Sequence, residues 1–121
     1  MFERYCVNED YTIKEVLEQF ESSNDRVALV ENTAGKIVGV VSQGDILRSL
    51  SAGGNIYAHI NQIIKNSFLH LYTKDMEEAY RIFKKKKITL LPVIDYEGRL
   101  SDVITLDDIF DYLESRKQNI C

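Results

Sequence analysis

Tryptophan is absent from this 121-residue chain, proline occurs once, and cysteine and histidine occur twice each. So little proline, with only six glycines, excludes a long low-complexity or disordered stretch, because such segments are rich in these residues and poor in apolar ones. Cys6 and Cys121 lie near opposite ends with no C-x-x-C spacing, which reads as two reduced thiols rather than a disulfide framework. His59 and His70 have no cysteine or carboxylate at ligand spacing, so no metal site is expected. No apolar run approaches the roughly 20 residues that span a bilayer. The start MFERYCVNED also lacks the basic-then-apolar order of a signal peptide. A cytoplasmic protein with no membrane partner is therefore expected. Nor is there a G-x-S-x-G elbow, a P-loop or a spaced cysteine–histidine pair, so no catalytic residue and no enzyme activity are expected. The net charge of -4 speaks against nucleic acid, whose phosphates call for a basic surface. One basic run, Lys84 to Lys87, ends the segment DMEEAYRIFKKKK, and acids first with lysines last is the order a helix macrodipole favours.

What the chain does have is a phrase written twice. GKIVGVVSQGDILRSL, from Gly35, returns as GRLSDVITLDDIFDYL, from Gly98. Gly35 matches Gly98, Val40 matches Val103, Ser42 matches Thr105, Asp45 matches Asp108, Ile46 matches Ile109 and Leu50 matches Leu113, all without a gap. Two copies of one supersecondary unit are expected to share a single domain's length of chain, long enough to bury about two-thirds of its unfolded surface.

In the first copy, Thr12 opens TIKEVLEQFESS, with Ile13, Val16, Leu17 and Phe20 at helical spacing and Glu15 completing a capping box. RVALVEN reads as a buried strand, TAGK as a turn, IVGVVS as a second strand and DILRSL as a helix. The second copy repeats the order. Thr73 opens a helix through Met76, Ala79, Tyr80 and Phe83, followed by ITLLPVID, the turn YEGR, LSDVIT and DDIFDYLES. Pro92 suggests an edge strand or a strand end, since it cannot donate to a ladder. Between the copies, Ile56, Ile60, Ile63 and Ile64 make a short amphipathic bridge. The expected division is a first repeat over 1–54, a bridge over 55–71 and a second repeat with its tail over 72–121. The expected class is α/β (α+β), two pseudo-symmetric repeats, each a small sheet with flanking helices, packed sheet to sheet.

Each copy places a hydroxyl and, three residues on, a carboxylate where a strand becomes a helix. Ser42 and Thr105 at those points read as N-caps, with Asp45 and Asp108 in the first turn. The same geometry also suits a ligand, because free N–H groups and a hydroxyl hold phosphate while a carboxylate accepts both hydroxyl hydrogens of a ribose.

Along nearly its whole length the chain resembles a tandem pair of cystathionine β-synthase (CBS) domains, a Bateman module. The resemblance rests on V-G-V-V-S-x-x-D-I-L and V-I-T-x-x-D-I-F, on L-P-V-I-D before Glu97-Gly98, and on Tyr11-Thr12 and Tyr72-Thr73. It implies a regulatory, non-catalytic module that needs no cofactor and binds AMP, ADP, ATP or S-adenosylmethionine in two clefts, each drawing on both copies. Carried over by position, Asp45 and Asp108 hold ribose, Ser42 and Thr105 phosphate, and Val40 and Val103 the base through backbone and apolar contact. Thr12, Thr73, Val27, Ala28, Leu90 and Leu91 complete the walls. Arg26 stands where the family often directs a cation at phosphate, with Thr89 as its counterpart. Where the first copy has Gly39 and Gly44 the second has Asp102 and Asp107, so the first cleft is expected to be roomier and more welcoming to anions. The helix and bridge segments are also similar to CBS pairs ahead of bacterial sugar-phosphate nucleotidyltransferase domains, which implies an attached catalytic domain or partner enzyme. The family further implies a homodimer, with Ile46, Leu47, Leu50, Ile109, Phe110 and Leu113 as contacts. A structural dimerisation module with degenerate clefts is the alternative reading.

Overall fold

The computed structural model describes residues 2–120, with residues 117–120 described by backbone alone. The chain forms two compact units that divide between Phe68 and Leu69.

In the first unit a 3-10 turn, Glu3–Tyr5, leads into β1 (Cys6–Asn8), α1 (Ile13–Ser23), β2 (Val27–Glu31), β3 (Ile37–Ser42) and α2 (Gln43–Ser51). The sheet order is β1-β2-β3, with β1 parallel to β2 and β2 antiparallel to β3. Thr12 and Glu15 form the capping box expected of α1, and Asn24 ends that helix in the left-handed region at φ 60. The alternation in IVGVVS sends Ile37, Gly39 and Val41 inward. With Val7, Ile13, Val16, Phe20, Ala28, Val30, Ile46 and Ile60, Val41 makes the first core. The bridge is shorter in regular structure than its pattern suggests, holding only a 3-10 turn, Ile60–Gln62. Its apolar face covers the first unit: Ile60 is fully buried there, and Ile63 and Ile64 pack against the same core.

The second unit contains α3 (Met76–Lys85), β4 (Leu90–Ile94), β5 (Leu100–Thr105) and α4 (Leu106–Ile120) around Ala79, Leu91, Val93, Ile104 and Ile109. Its hairpin turn is built like that of the first. Asn32 Oδ1 accepts the N–H groups of Ala34 and Lys36, and Asp95 Oδ1 accepts those of Glu97 and Arg99. Gly35 and Gly98 follow at φ 78 and 87, a conformation that costs a residue with a Cβ dearly.

One local expectation is corrected and one is met. Helix α3 opens at Asp75, not Thr73: the Asp75 carboxylate accepts the N–H groups of both Glu77 and Glu78, while Thr73 is exposed before the helix begins. A side chain that satisfies two orphan donors at once outcompetes a hydroxyl placed two residues too early. Pro92 lies, as expected, on an edge strand: β4 belongs to a two-stranded sheet, where Pro92 is buried opposite Val103. Its carbonyl accepts from Leu71 N–H at 3.0 Å, so its nitrogen faces Leu71 as well, and the missing donor is not taken from the β5 ladder.

Gly39 also proves to serve the fold. A Cβ there would come within 2.9 Å of the Lys65 carbonyl oxygen and 3.0 Å of Ile64 Cδ1, because residues 64–65 lie along β3 with Lys65 bridged to Val40. The room expected there for a ligand is filled by the chain itself. Replacing Gly39 by Ala should push this segment off β3 and cost about 1–3 kcal/mol, read as a shift in urea midpoint at unchanged m-value. An unchanged midpoint would show that the segment is not held there.

Candidate functional site

The duplicated strand-to-helix corners are reciprocal pairs. In the first, Ser42 N–H donates to Asp45 Oδ2 at 2.9 Å and Asp45 N–H donates back to Ser42 Oγ at 3.1 Å. In the second, Thr105 N–H donates to Asp108 Oδ2 at 2.8 Å and Asp108 N–H to Thr105 Oγ1 at 3.3 Å. The capping role and the ligand geometry thus coexist: each hydroxyl and carboxylate is held rigidly at the start of a helix. The preceding strand is tied in on the same side. Gln43 N–H donates to the Arg26 carbonyl at 2.8 Å and Leu106 N–H to that of Thr89 at 3.2 Å, while Val27 pairs with Ser42 and Leu90 with Thr105.

Of the residues predicted from sequence, Arg26, Val27, Ser42 and Asp45 therefore come together in one corner, and Thr89, Leu90, Thr105 and Asp108 in the other. An open depression of about 610 Å³ adjoins the first corner, with Leu17, Phe20, Arg26 and Gln43 in its lining. Ala28 and Leu91 point into the cores, so their side chains form the scaffold behind the corners, whereas Val103 is buried on the other face of β5, opposite Pro92. Thr12 caps α1 beside the bridge, where Ile13 N–H donates to the Ala58 carbonyl. The Val40 backbone is engaged by the bridge: its N–H donates to the Lys65 carbonyl at 3.2 Å and its carbonyl accepts from Lys65 N–H at 3.1 Å, which takes its one donor and one of its two acceptor positions.

The electrostatics separate the two corners. The Asp45 side chain is only 10% exposed, yet Arg48 Nη2 lies 2.6 Å and Lys65 Nζ 3.3 Å from its Oδ1. Burial pulls the Asp45 pKa upward, but hydrogen bonds from the Ser42 backbone and hydroxyl, Arg48 and Lys65 outweigh it and hold the carboxyl below the ordinary aspartate range. Among the described residues Asp108 has no ion pair. Asp102 on β5 does, with Lys74 Nζ at 3.3 Å, so part of the extra acidity of the second copy is neutralised locally. Sequence reasoning missed Lys65 and Lys74, since neither belongs to the repeated phrase. Arg48 was legible as the cation one helical turn after Asp45.

The predicted dimer contacts divide in the same way at equivalent positions. Ile46 and Ile109 are buried in their own cores, whereas Leu47 and Phe110 stand 57% and 55% exposed. Cys6 is partly buried, and its thiol is pushed up to about 11, by burial first and then by Glu31 and Glu3, so it stays protonated at neutral pH. Cys121 lies outside the described residues.

The chain has relatives among known proteins. The CBS domain family matches residues 1–52 and 69–115, and the chain belongs to that family. It is 29% identical over 119 residues to the magnesium transporter MgtE of Thermus thermophilus, covering 93% of this chain and 25% of that one. The chain thus spans about a quarter of the length of this curated relative. Among solved structures, the CBS domains of a transcriptional regulator from Streptococcus pneumoniae superimpose with a TM-score of 0.78 at 18% identity, covering 91% of this chain and 90% of that one. The cytosolic domain of the Mg2+ channel MgtE, solved in complex with ATP, gives 0.73 at 28% identity over 90% of this chain and 45% of that one. A CBS domain protein from Pyrobaculum aerophilum complexed with AMP gives 0.73 at 22%, covering 91% and 90%.

The Asp45 pairing has a pH signature. A folded pKa below that of the unfolded chain makes a contribution to stability that is complete above the unfolded value, near about 4, and is lost as pH falls through the folded one. Asp45→Asn should therefore lower the urea midpoint at neutral pH, and the gap from wild type should close as pH is lowered to about 2. A gap that stays constant with pH would show that the charge of Asp45 contributes nothing.

Proposed function

We propose that this chain is a regulatory ligand-sensing module that binds an adenosine-containing molecule at its strand-to-helix corners and modulates a partner or an attached catalytic domain. The observation that carries the reading is the repeated corner, where a hydroxyl and a carboxylate are fixed at a helix start with the same hydrogen bonds in both copies. Asp45 and Asp108 are assigned to ribose, Ser42 and Thr105 to phosphate or its equivalent, and Arg26 to the rim of the first corner. AMP and ATP in two structures of similar fold support an adenine nucleotide; AMP, ADP, ATP and S-adenosylmethionine are the ligands to test. A sugar-phosphate nucleotidyltransferase is one catalytic domain such a module would serve, and a cytoplasmic setting follows from the same reading. The chain itself is assigned no catalytic step.

A second reading, a structural dimerisation module, is favoured by one specific observation. Leu47 and Phe110 occupy equivalent positions on α2 and α4 and expose large apolar surface in both copies, which is costly to leave wet. The two readings are compatible in one protein.

Calorimetric and thermal-shift titrations test the first. A ligand that binds only the folded chain raises stability by about 2.7 kcal/mol at one hundred times its dissociation constant. A selective shift with one of the four compounds is expected, and no shift with any of them would leave the dimerisation module as the function. For the second, the wild-type chain should sediment as a dimer at micromolar concentration and Leu47→Glu with Phe110→Glu as a monomer. A wild-type monomer would remove the dimer.

A further inference from the structure

The two corners share a backbone but not a charge. At Asp45, Arg48 and Lys65 both lie on Oδ1 and the Ser42 N–H lies on Oδ2. A carboxylate offers about four acceptor positions, so these three contacts leave one, while the paired hydroxyls of a ribose need two. At Asp108, by contrast, Thr105 N–H occupies a single position on Oδ2, and Oδ1 has no partner among the described residues. The surrounding charges differ in sign. Where the first copy has Gly44 and Arg48, the second has Asp107 and Asp111, both exposed. Two cations thus meet one carboxylate at the first corner, and three carboxylates cluster at the second. None of Lys84 to Lys87, exposed at the end of α3, forms an ion pair with those three. A phosphate is repelled by the second set. It is attracted by the first, where it would satisfy Arg48 and Lys65 and so return acceptor positions on Asp45 to a ribose.

Resting on the reading of these corners as adenosine sites, we infer that they answer to different ligands: the Asp108 corner takes a neutral or cationic nucleoside through its open carboxylate, whereas the Asp45 corner takes a nucleoside only when a phosphate draws Arg48 and Lys65 away. The first corner is closed by the protein's own cations and the second is not. The exposed side chains of Arg48 and Lys65 are free to turn toward an incoming anion without disturbing the core.

Titration calorimetry with adenosine and with AMP tests this. The wild-type chain should bind one adenosine, lost in Asp108→Asn and retained in Asp45→Asn. Asn keeps an oxygen for the N–H of Thr105 or Ser42, so the cap is preserved. In Arg48→Gln/Lys65→Gln, two surface replacements, adenosine should gain a second site per chain even as AMP binding weakens. A loss of phosphate attraction alone would weaken AMP and leave adenosine unchanged. Two adenosine sites in the wild type, loss of adenosine in Asp45→Asn, or one site in the double variant would each overturn the inference and leave the adenosine-sensing function standing. Failure of the wild-type chain to bind either compound would overturn both.

Discussion

Everything that gives this chain a functional surface depends on one reciprocal pair of hydrogen bonds, in which a backbone N–H at the end of a strand is held by a carboxylate three residues later and the carboxylate's own N–H is held by the hydroxyl. The pair is a helix cap, and each such cap stabilises its helix by about 1 kcal/mol. In satisfying donors that a helix start would otherwise leave orphaned, it also fixes a hydroxyl and a carboxylate side by side at the positive end of the helix. Folding and the proposed binding therefore draw on the same atoms. The strand before each corner is bound to the helix start through the carbonyls of Arg26 and Thr89, so the corner cannot open without loosening the sheet behind it.

Duplication gave two such corners, and their divergence lies around the carboxylates rather than in them. The first copy gained Lys65, which lies along β3 only because Gly39 leaves room for it. A glycine on a strand, a lysine in the bridge and a partly buried aspartate thus form one device. In the second copy Asp102 takes the place of Gly39 and is neutralised by Lys74, and Asp111 takes the place of Arg48. Equal backbones with opposite local charge underlie the proposed division between two ligands, since the energy separating a phosphate from a bare nucleoside is mainly electrostatic.

Much of this was legible in the sequence. The repeat, the order of the elements, the capping boxes at Thr12 and Ser42, the hairpin turns at Gly35 and Gly98, and membership of the CBS family all rest on residues a few positions apart, whose geometry is set by helical or strand periodicity and by local hydrogen bonding. Where local reasoning erred, a competing local donor or acceptor decided. Asp75 displaced Thr73 as a cap because it reaches two N–H groups. Gly39 was read as space for a ligand because its neighbour in space, Ile64, is far from it in sequence.

The sequence by itself determined that two strand-to-helix corners would form and which hydroxyl and carboxylate each would carry, because a cap is a contact between near neighbours in the chain. Only the tertiary structure decided that Lys65 would come back to cover Val40 and clamp Asp45, that Ile46 and Ile109 would be core while Leu47 and Phe110 stayed outside, and that Asp108 would be left open. Those outcomes depend on which distant segments pack together, and packing is settled by the burial of apolar surface over the whole unit rather than by the residues at the corner.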